Sequence, residues 1–229
     1  MRPHDALGEC RDQSAGHGIR LVVSGEESDS AHDEKGVLVA GDVTGLAGFL
    51  YEFGLLKRYK RTGWLVAGVR DPESIAEHSF RAAVIAAVIA GMEGGNPERA
   101  AFMSLFHDTQ ETRVTDIPYI GKRYLKAASN EDVTADQVRG LPAEVASVVC
   151  DAVAEYEEKA TLEAVCARDA DKLECLIQAV EYREQGHQNV QGWIDSSLAA
   201  ITTETGKRLA EEALSTGTLD WVTRVLNGD

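Results

Sequence analysis

At 229 residues and 24.7 kDa, with 44% hydrophobic residues, the chain is long enough for one domain with a sizeable core. Its formal net charge of −15 and pI near 4.8 exclude a nucleic-acid polymer as the main partner, because no surplus of Lys and Arg exists to neutralise phosphates. The four cysteines lack CxxC spacing, which excludes a disulfide scaffold or zinc ribbon, and no apolar run approaches the roughly 20 residues of a membrane span.

Residues 1–42 are rich in Gly, Ser, Asp and Glu and cannot bury enough surface to offset ordering entropy, so they read as a largely disordered acidic tail. That leader has no apolar signal core, which makes the cytoplasm the expected location. Residues 43–229 read as one all-α domain. GLAGFLYEFGLLKRYK predicts a first helix with Leu46, Phe49, Leu50, Phe53 and Leu56 on its apolar face. RTGW through VRDPES reads as a loop. Ser74 and Glu77 then form a capping box, opening a helix through HSFRAAVIAAVIAGM that is apolar on most sides. Asn96-Pro97 opens the next helix, which carries His107 and Asp108 near its end, and Pro118 breaks the pattern after Asp116. Residues 120–140 are polar and ambiguous. Further helices are expected at about 142–159, 161–185, 190–203 and 206–226.

The His107-Asp108 pair places two ligand-type side chains in an apolar helix, where burial needs partners. Successive helical residues point about 100° apart, so a metal held by both must sit near the helix end. His78 from one helix and Asp171 from another complete a set of two imidazoles and two carboxylates. That set suits one divalent ion: Mn, Co or Fe first, with Mg or Zn possible. Glu111 lies one turn after His107 on the same face, placed to act as general base or acid rather than as a further ligand. Asp116, at the helix exit, is placed to orient water or a substrate hydroxyl.

The segments KRYKRTGW, PESIAEHS, FHDTQETRVTDIP and RDADKLECLIQAVEY, spread from about Leu46 to Val225, resemble the HD-domain metal-dependent phosphohydrolases, and within them the 5′-deoxynucleotidase-like branch. The resemblance implies an HD-domain helical bundle with a metal on His78, His107, Asp108 and Asp171, Glu111 as catalytic acid/base and Asp116 in support. It further implies that Arg61 and Trp64 hold the phosphate and sugar, that Lys122 supplies a second cation, and that the protein forms a homodimer. Many relatives carry Gly where this chain has Thr115, which bears on the aim of Asp116.

His187 is the only histidine after Asp108, so the extra ligands of di-iron HD oxygenases and HD-GYP phosphodiesterases are missing. Thr112 stands where guanosine tetraphosphate hydrolases carry an aspartate. A small nucleotide substrate follows, with hydrolysis of a nucleoside 5′-monophosphate to nucleoside and phosphate. The alternatives are a biosynthetic phosphatase on an unusual nucleotide and a non-catalytic HD-fold nucleotide-binding protein.

Overall fold

The computed structural model describes Val43 and residues 45–228, so the acidic leader expected over residues 1–42 lies outside the described residues. Among the described residues there are helices and no strand beyond an isolated bridge between Lys60 and Ser74. Helix α1 (Leu46–Phe53) tightens into a 3₁₀ turn at Gly54–Lys57, ending earlier than the sequence pattern suggests. A short helix, α2 (Thr62–Val66), lies inside the segment expected to be a loop. Helix α3 (Ile75–Glu93) starts at the expected capping box: Ser74 Oγ accepts the Glu77 N–H at 3.2 Å and the Glu77 carboxylate accepts the Ser74 N–H at 2.6 Å. Helix α3 has 19 residues and contains a stretch of mean hydropathy 1.4, long and apolar enough to cross a membrane by length and composition alone, and half of that stretch is buried inside the protein.

Asn96 caps α4 (Pro97–Phe106), and α5 (Glu111–Val114) follows a single irregular turn. Helix α6 (Asn130–Gln137) occupies part of the ambiguous region, before α7 (Ala143–Glu158) and α8 (Leu162–Glu184). After α9 (Gln191–Ala200), the helix expected over 206–226 is two, α10 (Glu204–Ser215) and α11 (Asp220–Asn227). The break has a local cause. Thr216 takes an extended backbone, and the Asp220 carboxylate accepts the Gly217 N–H at 3.0 Å, restarting the helix.

Helices α3, α4 and α8 pack on one another at the centre. Their contact faces are lined by buried small residues: Ala82, Ala86 and Ala90 on α3, Ala100 on α4, and Ala167, Ala170 and Ala179 on α8. Small side chains let helix axes approach toward the short end of the usual ~8–10 Å range. Ile89, Met103, Leu173 and Leu176 fill the remaining space, each worth about 1.5–3 kcal/mol of burial. This close packing is what lets polar side chains from three helices reach a common point.

Candidate functional site

His78 lies one turn into α3, His107 is the C-terminal cap of α4, Asp108 follows it, and Asp171 sits mid-way along α8. Their ligand atoms converge. His78 Nε2 is 3.3 Å from His107 Nε2, 3.3 Å from Asp171 Oδ1 and 3.6 Å from Asp108 Oδ2. His107 Nε2 is 3.1 Å from Asp108 Oδ2 and 3.9 Å from Asp171 Oδ1. Donors held ~2.1 Å from one ion lie roughly 3.0 Å apart at octahedral and 3.4 Å at tetrahedral angles, so these separations fit a single centre.

The hydrogen bonds behind the imidazoles sharpen that fit. His107 Nδ1 donates to the Ser104 carbonyl at 2.7 Å, and His78 Nδ1 donates to Glu174 Oε2 at 2.5 Å. With Nδ1 committed in each ring, both imidazoles turn Nε2 toward the same point as two carboxylate oxygens. Two ring nitrogens 3.3 Å apart beside two carboxylates call for a cation between them, a proton or a metal ion. Burial and Arg61 oppose a charge on His78, yet Glu174 and Asp171 overcome both and push its pKa up to about 10. Burial likewise disfavours charge on Asp108, but His107 and Arg61 hold it well below the usual carboxylate range. The donor set fits a divalent metal.

Beside this cluster stands Arg61, whose guanidinium donates to Asp108 Oδ2 at 3.0 Å. Arg61 precedes α2, and Asp116 anchors that junction: its Oδ2 accepts the Thr62 N–H at 2.5 Å and the Thr62 hydroxyl at 3.0 Å. The same hydroxyl donates to the Asp116 carbonyl at 2.9 Å. One oxygen of the Asp116 carboxylate thus holds the Arg61 segment. Thr115 has φ 62° and ψ 165°, a backbone region that is essentially glycine-only.

Glu111 opens α5. Its Oε2 is buried without a hydrogen-bond partner among the described residues. Burial, reinforced by the charges of Asp108 and Asp116, pushes its pKa up to about 9. A carboxyl in that state has high proton affinity beside the metal cluster.

The other two expected substrate residues are placed differently. Trp64 is only 2% exposed, with its indole N–H donated to Glu73 Oε1 at 2.9 Å and its ring packed on Tyr182 and Trp193. It offers no open face to a sugar. Lys122 is exposed on a 3₁₀ turn (Gly121–Arg123) and forms no ion pair among the described residues. A nearer cation is Lys172, whose Nζ lies 2.8 Å from Asp171 Oδ2, the oxygen turned away from the imidazoles.

Sequence reasoning missed a set of interior polar residues. Glu174 is fully buried and Arg81 bridges it to Glu181 and Gln178. The signal was present in the spacing: His78/Arg81 and Asp171/Glu174 are both i,i+3 pairs, so each partner lies on the face of its ligand. Asp169, in the same RDAD run as Asp171, turns the other way and accepts the N–H groups of Thr202 at 3.0 Å and Thr203 at 2.6 Å, holding the turn ahead of α10, which Thr203 caps.

The sequence profile of the HD domain family matches residues 53–213. The chain is 32% identical over 171 residues to the 5′-deoxynucleotidase HDDC2 of Dictyostelium discoideum, covering 69% of this chain and 90% of that protein. It is also 32% identical over 153 residues to human 5′-deoxynucleotidase HDDC2, covering 65% and 74%. Among solved structures, a conserved hypothetical protein from Pyrococcus furiosus superposes with a TM-score of 0.62 at 30% identity, over 74% of this chain and 99% of that one. A protein described as a predicted metal-dependent phosphohydrolase from Magnetospirillum magnetotacticum gives 0.58 at 25% identity, over 78% and 92%.

Proposed function

The chain belongs to the HD-domain family, and on that premise we propose that it is a metal-dependent 5′-nucleotidase, taking the 5′-phosphate from (deoxy)ribonucleoside monophosphates. The observation that carries this reading is the convergence of His78, His107, Asp108 and Asp171 on one point, with Arg61 bound to the rim of the same cluster. The named activity of the HDDC2 relatives agrees with it.

His78, His107, Asp108 and Asp171 would hold the ion, with Mn, Co or Fe favoured by an imidazole–carboxylate set that lacks thiolate. A divalent ion there would supply Lewis-acid polarisation of a phosphoryl oxygen and a lowered pKa for water. The protein's own groups do the rest. Arg61 pairs with the phosphate oxygens through its planar fork and neutralises charge as water attacks phosphorus. A divalent cation in the cluster would offset the Asp108 charge that helps Glu111 keep its proton, leaving a Glu111 carboxylate that takes the proton released by that water. As the bond from phosphorus to the 5′-oxygen breaks, Glu111 returns the proton to that oxygen, leaving nucleoside and inorganic phosphate. Asp116 acts at one remove, by fixing Thr62 and hence Arg61.

We also read the exposed apolar row Phe80, Val84, Val88 and Met92, spaced every four residues on α3, as support for a homodimer. Sedimentation tests it. The activity itself is tested by phosphate release from 5′- and 3′-mononucleotides with Mn, Co, Mg or EDTA, alongside Glu111→Gln. Release from 5′-monophosphates that EDTA abolishes is expected, with kcat in the variant lowered ~10²–10⁴-fold. No release with any metal would overturn the assignment.

A further inference from the structure

Behind His78, on the side away from the cleft, α3 and α8 share a second polar layer that the hydrolytic reading does not use. Glu174 is fully buried, one turn past Asp171, and its two oxygens have separate partners. Oε2 accepts from His78 Nδ1 at 2.5 Å, and Oε1 accepts from Arg81 Nε at 2.9 Å and Nη2 at 2.8 Å. Arg81 is itself held on its far edge, donating to Glu181 Oε1 at 2.7 Å and Gln178 Oε1 at 2.7 Å. A continuous chain of hydrogen bonds thus runs from Glu181 and Gln178 through Arg81 and Glu174 to His78. The row opens on a cavity of about 600 Å³ lined by Arg81, Gln178, Glu73 and Tyr182, so its outer end meets solvent while its inner end touches the ligand ring.

A carboxylate with no exposed surface is stable there only if charge and hydrogen bonds satisfy both oxygens. Glu174 also has a second possible use. It lies near enough to His78 Nδ1 and Glu73 to offer a competing set of metal donors on the wrong side of the ring. Arg81 occupies the free oxygen of Glu174 bidentately and prevents that use. We propose that Arg81 is a positioning residue of the metal centre: by engaging Glu174 it fixes the His78 ring with Nδ1 as donor and Nε2 open to the ion. The geometry makes it the outer anchor of a ligand.

The inference rests on the reading that the four-residue cluster binds a divalent ion, and its test reads metal rather than turnover. Full-length Arg81→Met, Arg81→Lys and the wild-type protein are stripped of metal and titrated with Co(II), following affinity by chelator competition and coordination by the visible spectrum. Arg81→Met is expected to bind Co(II) about 10–100-fold more weakly with an altered spectrum, in line with other outer-shell losses. Arg81→Lys, which keeps the charge but not the fork, falls between. Unchanged affinity and spectrum in folded Arg81→Met overturn the proposal while leaving the metal site intact. Failure of the wild type to bind Co(II) overturns the metal reading and this one together. If Arg81→Met does not fold, the double variant Gln178→Leu/Glu181→Gln decides, since it removes the outer anchors and leaves Arg81 in place: a several-fold loss supports the role, and no loss overturns it.

Discussion

The two sides of the site are built differently. On the metal side, His78, His107 and Asp171 project from α3, α4 and α8, helices locked by alanine-lined contacts and by the buried Arg81–Glu174 row. On the phosphate side, Arg61 and Asp116 belong to short connections, and what fixes them is a mutual set of hydrogen bonds through Thr62. Metal ligands must be placed within a fraction of an ångström, which a helix core provides. A phosphate carrier must admit and release its load, which loop segments tied by a few exchangeable bonds allow. The difference divides tight geometry from adaptability across one small cleft.

Paired substitutions break that comparison most severely. Asp171→Asn removes a charge from the ligand set and is expected to abolish stoichiometric metal binding, and activity with it. Asp116→Asn keeps the size but weakens an ionic acceptor of two Thr62 donors, a loss of ~1.5–3 kcal/mol for hydrogen bonds to a charged group. It is expected to leave metal content unchanged and to raise KM about tenfold or more. Metal analysis beside steady-state kinetics separates the two. Loss of metal in Asp116→Asn would place both residues on the same side and end the distinction.

A smaller effect lies beneath the loops. Glu52 on α1 accepts from Arg113 Nε at 2.8 Å and Nη2 at 2.9 Å, from Thr112 at 2.8 Å and from Gln137 at 3.1 Å, tying α1 to α5 and α6. Arg113, aided by Gln137 and Thr112 against the opposing effect of burial, lowers its pKa from 4.5 to about 2. A depressed folded-state pKa gives stability that is present above about pH 4.5 and lost as pH falls toward 2. Glu52→Gln should therefore be less stable than the wild type by on the order of 2 kcal/mol at pH 7, and the gap in urea midpoints should narrow below pH 4.5. A gap that is constant with pH would mean the contribution is packing and not charge.

How much of this was legible in the sequence follows the same division. Helical periodicity, the Ser74–Glu77 box and the Asn96-Pro97 start placed α3 and α4 closely, because each signal is local and each is satisfied within its own turn. The four donor residues were readable as types and spacings, and the structure brings them together. Trp64 was not readable: aromatic character marks both packing and stacking, and only the fold shows Glu73 taking its N–H. Asp169 and Asp171 are indistinguishable by composition, yet two residues on a helix differ by about 200°, so one holds the turn ahead of α10 and the other faces the imidazoles. Likewise the choice between Lys122 and Lys172 depended on which long side chain tertiary contacts bring to the cluster, and periodicity carries no such information.

The smallest expected effect concerns the loop side alone. Thr115 is a β-branched residue at φ 62° and ψ 165°, where Cβ clashes with the flanking backbone and strain of ~1–3 kcal/mol is usual. Its side chain is exposed, so it gains no packing in return. Thr115→Gly should relieve the strain and give back ~0.5–1 kcal/mol to the greater freedom of glycine in the unfolded chain, for a net gain near 1 kcal/mol. Thr115→Ala retains Cβ and should gain nothing. Because Asp116 is held by Thr62 on one side and by α5 on the other, KM in Thr115→Gly should stay within about twofold of the wild type. A stabilised protein with a markedly raised KM would mean the reverse: that the strained backbone, and not the Thr62 bonds, sets the direction of Asp116. The strain would then be part of how the phosphate side is held, and the loop side would be less adaptable than its hydrogen bonds suggest.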